Sequence, residues 1–222
     1  AFFMAVNAIH VLYLTAGLFK AVPSKTVLTD LAKATNIETL AKDLGNTPYA
    51  INAFPVTSNA EKAKVLAENL LGSSVTDKTA AVTALEGVLN ANGGNVGVAA
   101  LIAINEILKG GTYADAKAQL ENRVKVAEAY VNSPRGTEIS TSILNEVTKD
   151  AATATAAIEK LNSNNTPAGN YAGTPNDDTV SLLGGLASTI KIEGGQQGAA
   201  GDTLVITAQA SATANVINLQ NF

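Results

Sequence analysis

The 222-residue chain has no cysteine and no tryptophan, one histidine (His10) and one methionine (Met4). Without cysteine, disulfides and thiolate metal sites are excluded. One histidine excludes a multi-histidine metal centre. It also leaves any Ser-His-Asp triad dependent on His10, which lies in an apolar run and reads as a packed or interface side chain. Charge is scarce as well. Asp, Glu, Lys and Arg make up 15% of the residues, against roughly 25% in an ordinary domain. Ala, Thr, Asn, Gly and Ser fill the difference, so hydroxyls and amides hold the surface in water. The net charge is −4, and the lysines and arginines are scattered. That argues against nucleic acid, whose phosphates require a basic face.

What the chain does have is helical periodicity. Its length suits one large domain or two small ones. The clearest stretch, Asn59 to Val131, reads as four consecutive amphipathic helices. Asn59 is placed as N-cap of the first, with Val65, Leu66, Asn69 and Leu70 on one face and Gly72 as its stop. Thr76 or Asp77 caps the second, whose stripe is Val82, Leu85, Val88 and Leu89. The third runs from Asn95 to Leu108 and is apolar enough to be buried. The fourth, Tyr113 to Val131, carries Leu120, Val124, Ala127 and Val131 inward, and Glu121 with Lys125 as an i,i+4 pair. None of these helices looks catalytic.

Ala1 to Phe19 is the most apolar stretch and has no formal charge. A helix apolar all round is buried or in a membrane. Asn7, His10 and Thr15 make it a poor span, and no basic residue precedes it as a signal peptide requires. The preferred expectation is a helix buried in the fold or between subunits. Short helices follow over Ser24–Ala34, over Ile37–Leu44 with Asn36 as cap, and from Pro48 to Phe54. The segments 11–55 and 59–131 share a weak internal repeat. After Ser133-Pro134-Arg135-Gly136, residues Ile143, Leu144 and Val147 suggest a short helix, and Thr148 caps a last one over Lys149–Leu161.

Composition changes at Asn162. Residues 162–177 read as a linker rich in Asn, Gly and Thr. Beyond it, Thr179–Leu183, Thr189–Ile192, Thr203–Thr207 and Asn215–Leu219 read as short strands. The expected architecture is a mainly α, multi-helix domain over 1–161 and a small β-rich region over 178–222, α+β overall.

The segment Val65-Leu66-Ala67-Glu68-Asn69-Leu70-Leu71-Gly72, followed by Asn122-Arg123-Val124-Lys125-Val126-Ala127-Glu128-Ala129-Tyr130, resembles a helical domain of bacterial surface-layer (S-layer) and RTX-type secreted proteins. The likeness spans roughly Val11 to Leu161. It departs where the family has a Gly-Leu-x-Tyr-Trp segment, since Val82–Leu89 stands there, and where the family has Arg after the glycine, since Ser73 stands there. Gly173-Thr174-Pro175-Asn176-Asp177-Asp178-Thr179-Val180 is similar to segments that open RTX-like β regions. Gly194 to Leu204 resembles a degraded Gly-Gly-x-Gly-x-Asp-x-Leu repeat.

The resemblance implies a secreted, non-enzymatic structural protein at the cell surface that assembles into an extracellular sheet or filament. The alternative is a calcium-dependent adhesin or binding module. It also implies calcium at Asp177, Asp178 and Asp202, the competing reading being that these are turn residues. The expected partner is the protein itself, head to tail, without nucleic acid and without a membrane beyond surface attachment. The expected interface residues are Phe2, Phe3, Val6, Ile9 and Tyr13 at one end, and Leu204, Ile206, Val216, Ile217 and Leu219 at the other. Gly93-Gly94-Asn95-Val96-Gly97 precedes a helix as phosphate loops do, but it lacks the Lys-Ser/Thr of a P-loop and reads as a helix–helix turn.

Overall fold

The most apolar stretch of the sequence forms the central helix of its own domain. In the computed structural model, α1 spans Ala8–Phe19 and packs against α2 (Lys25–Leu31), α3 (Ile37–Gly45), α5 (Asn59–Leu71), α7 (Val96–Leu108) and α8 (Ala114–Asn132). Val11, Leu12, Leu14, Ala16 and Leu18 are all at most 1% exposed. The structure describes residues 6–162 and the strand segments 171–172, 179–183, 189–193, 203–207 and 216–220. The chain divides into two compact units, Ala1–Leu161 and Asn162–Phe222. The first is a multi-helix domain, completed by α4 (Pro48–Ala53), α6 (Thr79–Ala91) and α9 (Ala151–Asn162). Among the described residues, no helix is long and apolar enough to cross a membrane.

Side-chain caps define most of the helix starts by satisfying the first free N–H groups. Asn7 caps α1, Ser24 α2, Asn36 α3, Thr47 α4 and Asn95 α7. The cap of α5 is Ser58 rather than Asn59. Its Oγ accepts from the Glu61 N–H at 3.2 Å and donates to Glu61 Oε2 at 2.8 Å. Asn59 becomes the first helical residue, and its amide reaches Asn90 Oδ1 on α6 at 2.8 Å. Before α6, Asp77 accepts from the Thr79 N–H at 2.9 Å. Glu121 pairs backwards with Lys117 (2.8 Å) instead of forwards with Lys125.

The expected helix around Ile143, Leu144 and Val147 is a turn. Ser140 forms a two-way backbone bridge with Val22 at 2.8 and 2.9 Å, and its hydroxyl accepts from the N–H groups of Ser142 and Ile143. Those bonds hold the chain as a strap, which still buries Leu144 and Val147. The last helix begins at Ala151 rather than Lys149. Thr148 accepts from Asp150 N–H, and Asp150 in turn accepts from Ala152 N–H at 2.9 Å.

Contact between α3 and α7 is backbone to backbone. A Cβ on Gly97 would stand 1.8 Å from the Ala41 carbonyl oxygen, so only glycine admits this crossing.

In the second unit, β1 (Tyr171–Ala172), β3 (Thr189–Glu193) and β5 (Val216–Gln220) form one sheet, and β2 (Thr179–Leu183) and β4 (Thr203–Thr207) another. All three pairings are parallel. The two-residue β1 was not anticipated, and β5 lies one residue later than the sequence pattern placed it.

Candidate functional site

The sequence-expected interface residues fall into three groups. Val6 is 8% exposed within the hydrophobic core, and Ile9 and Tyr13 are partly buried against that core. Burial is also the main reason the Tyr13 phenol titrates above its ordinary value, with Glu121 adding to it. Thus the inner residues of α1 serve their own domain. Leu204 and Ile206 lie on β4, and Val216, Ile217 and Leu219 on β5. Phe2 and Phe3 lie outside the described residues, as do Asp177, Asp178 and Asp202. Among the described residues, no three His, Cys, Asp or Glu side chains are grouped to hold a metal.

The most concentrated buried chemistry is on α8. Gln119, Asn122 and Arg123 are 0%, 5% and 2% exposed. They recur at i, i+3 and i+4, so they share one helical face. Gln119 Nε2 donates to the Leu71 carbonyl at 2.8 Å, and Arg123 Nη1 donates to the Asn69 carbonyl. Both carbonyls belong to the last turn of α5, where acceptors have no intrahelical partner and the helix dipole is negative. Asn69 Nδ2 in turn donates to the Leu18 carbonyl at 2.8 Å, near the end of α1. Asn122 Nδ2 reaches the carbonyls of Thr148 and Lys149 at 3.0 and 3.1 Å, just before α9. One face of α8 thus caps α5 and holds the approach to α9, while α5 caps α1.

Gly72 makes room for this arrangement. Its φ is +49°, and a Cβ there would lie 2.9 Å from both Arg123 Nη2 and Gln119 Nε2. Burial lowers the Arg123 guanidinium to about 10, so it remains a cation at neutral pH. Its Nε is buried without a hydrogen-bond partner. The knot contains donors facing backbone acceptors and no nucleophile or general base, so its chemistry is positional. Sequence reading singled out Val65–Gly72 and Asn122–Tyr130 but did not bring them into contact, and it passed over Gln119. The available signal was three polar residues set beside the apolar stripe Leu120, Val124 and Ala127.

The turn Gly93–Asn95 is a helix–helix connection. Gly94 N–H donates to the Leu89 carbonyl at 2.8 Å, and the Gly94 carbonyl accepts from Lys62 Nζ at 3.1 Å. Asn95 Oδ1 caps α7 at Val98 N–H, while its Nδ2 binds the Lys42 carbonyl at 3.0 Å. With α3 lying against Gly97, the start of α7 is a packing surface.

Two apolar grooves open on the helical unit. One, with about 540 Å³ of open space, lies between α5, α6 and α7 and is lined by Leu71, Leu85, Val88, Ile102, Ile107 and Tyr113. The other, about 580 Å³, is lined by Phe19, Val27, Leu31, Leu44, Tyr49 and Ile139. Phe19 and Tyr49 meet edge to face at 4.9 Å. No family model, no curated protein and no solved structure matches the chain.

Proposed function

We propose that the protein is a secreted, non-enzymatic structural subunit that assembles with copies of itself into an extracellular sheet or filament at the cell surface. The observation that carries this reading is the strand arrangement. Each described sheet ends in edge strands, and β4 and β5 each pair on one side only among the described residues. Unpaired edges template further strands. A head-to-tail contact between unlike surfaces gives an open polymer unless its rotation closes a ring. The likeness of residues 173–180 and 194–204 to S-layer and RTX segments supports the same reading. We take residues 178–222 as a small β-rich domain, making the chain α+β overall.

Calcium belongs to this proposal. Asp178 and Asp202 each stand one residue before Thr179 and Thr203, and those two threonines are register partners. Hard carboxylate oxygens suit Ca²⁺, which takes six to eight oxygen ligands. Asp177, Asp178 and Asp202 would supply some, with backbone carbonyls for the rest, and the ion would tie the paired strands β2 and β4. Sedimentation of the purified chain with calcium and with chelator tests the reading. Large assemblies that form with calcium are expected. A monomer that binds glycans with calcium and never assembles would replace the polymer by an adhesin.

A further inference from the structure

Successive strands alternate between the two sheets: β1, β3 and β5 in one, β2 and β4 in the other, all parallel. One row of each register sets apolar on apolar. Val180 stands on Leu204 and Leu182 on Ile206 in one ladder, and Ile190 on Ile217 and Ile192 on Leu219 in the other. Residues two apart share a sheet face, so each sheet carries one apolar row. In the β3–β5 sheet the opposite row is Thr189 with Val216, Lys191 with Asn218 and Glu193 with Gln220. Alternation of this kind is the strand order of a solenoid, in which each rung contributes one strand to each sheet. Its first rung is β1 with β2, its second is β3 with β4, and β5 opens a third. The first rung is uneven, because β1 has two residues and β2 has five. β3, β4 and β5 have five residues each.

We infer that subunits join by parallel strand addition, with β2 of one copy seated on the β4 edge of the next that pairs with no described strand, in the register Thr179 on Thr203. This rests on the proposed polymer and names its contact. The occupant is a second copy because β2 is already matched to β4. Within one chain, all five of its residues pair with β4 and the apolar rows align. A parallel strand added to the opposite edge in the same register keeps those rows aligned. The added copy carries its own β4 edge, so the contact repeats without closing.

The chain has no cysteine, so introduced thiols are unique. Ser181 and Val205 are register partners, as are Thr179 and Thr203. Full-length Ser181→Cys and Val205→Cys chains are mixed as unassembled subunits and co-assembled, with each variant also assembled alone, then treated with a short bis-maleimide. The expected result is a cross-linked dimer in the mixture and none in either variant alone. The pair Thr179→Cys and Thr203→Cys repeats the test should either first variant fail to assemble. Dimers from Val205→Cys alone would overturn the contact in favour of an antiparallel, twofold one. Polymers without cross-links in either mixture would overturn the contact and leave the polymer standing. Absence of polymers from the unsubstituted chain would remove both.

Discussion

The guanidinium of Arg123, in the middle of α8, donates to the carbonyl of Asn69 in the last turn of α5. Among the described residues no carboxylate is bonded to it, and the stabilising partner is a helix C-terminus. Removing the side chain leaves the Asn69 carbonyl without this donor, and an unmet buried acceptor costs about 1–3 kcal/mol. Arg123→Ala is expected to lose about 3 kcal/mol in urea unfolding, since packing of the stem is lost as well. Arg123→Met, which keeps the stem, is expected to lose less. Equal stability of Arg123→Ala and the parent chain would refute the capping role.

Gly72 and Gly97 are required for different reasons. Gly72→Ala places a Cβ at φ +49° and against Arg123, with an expected cost of about 1–3 kcal/mol. Gly97→Ala drives a Cβ into the Ala41 carbonyl, so α3 must move off α7. It is expected to be the more damaging, at about 3 kcal/mol, near the upper end for overpacking. Thermal unfolding of both variants decides the order.

Ser58→Ala should cost about 1 kcal/mol by removing the cap of α5. Asn59→Ala should cost less, because it loses only the surface bond to Asn90. The reverse order in chemical denaturation would return the cap to Asn59.

Asp77 titrates below its ordinary value because it accepts from Thr79. A carboxyl whose folded pKa is depressed adds stability above its unfolded pKa, and that stability is lost as pH falls through the folded value. The start of α6 is therefore expected to loosen below about pH 3.8. NMR titration of Asp77 should give a midpoint below that of an ordinary aspartate. A midpoint at or above it would contradict the bond.

Much of the helical unit is readable from local chemistry. Ser24, Asn36 and Asn95 cap as their side chains dictate, and Pro48 sits in the first turn of α4. Burial of α1 follows from its all-round apolarity. Errors arise where a tertiary partner outcompetes a local preference. Ser58 takes the cap because Asn59 has Asn90 to bind, and Leu144 lies in a strap because Ser140 pairs with Val22. Arg123 could not be placed from sequence, since periodicity does not say that its acceptors lie 54 residues away in the chain. Removing residues 1–18 would take Leu12, Leu14 and Leu18 out of the shared core, so the helices of 59–131 are expected to unfold with it.

Self-assembly is tested most directly by electron microscopy of the purified full chain across a concentration series, with calcium and with chelator. Regular polymers in calcium, with subunits related head to tail, are the expected result. Monodisperse monomers at high concentration under both conditions would contradict it.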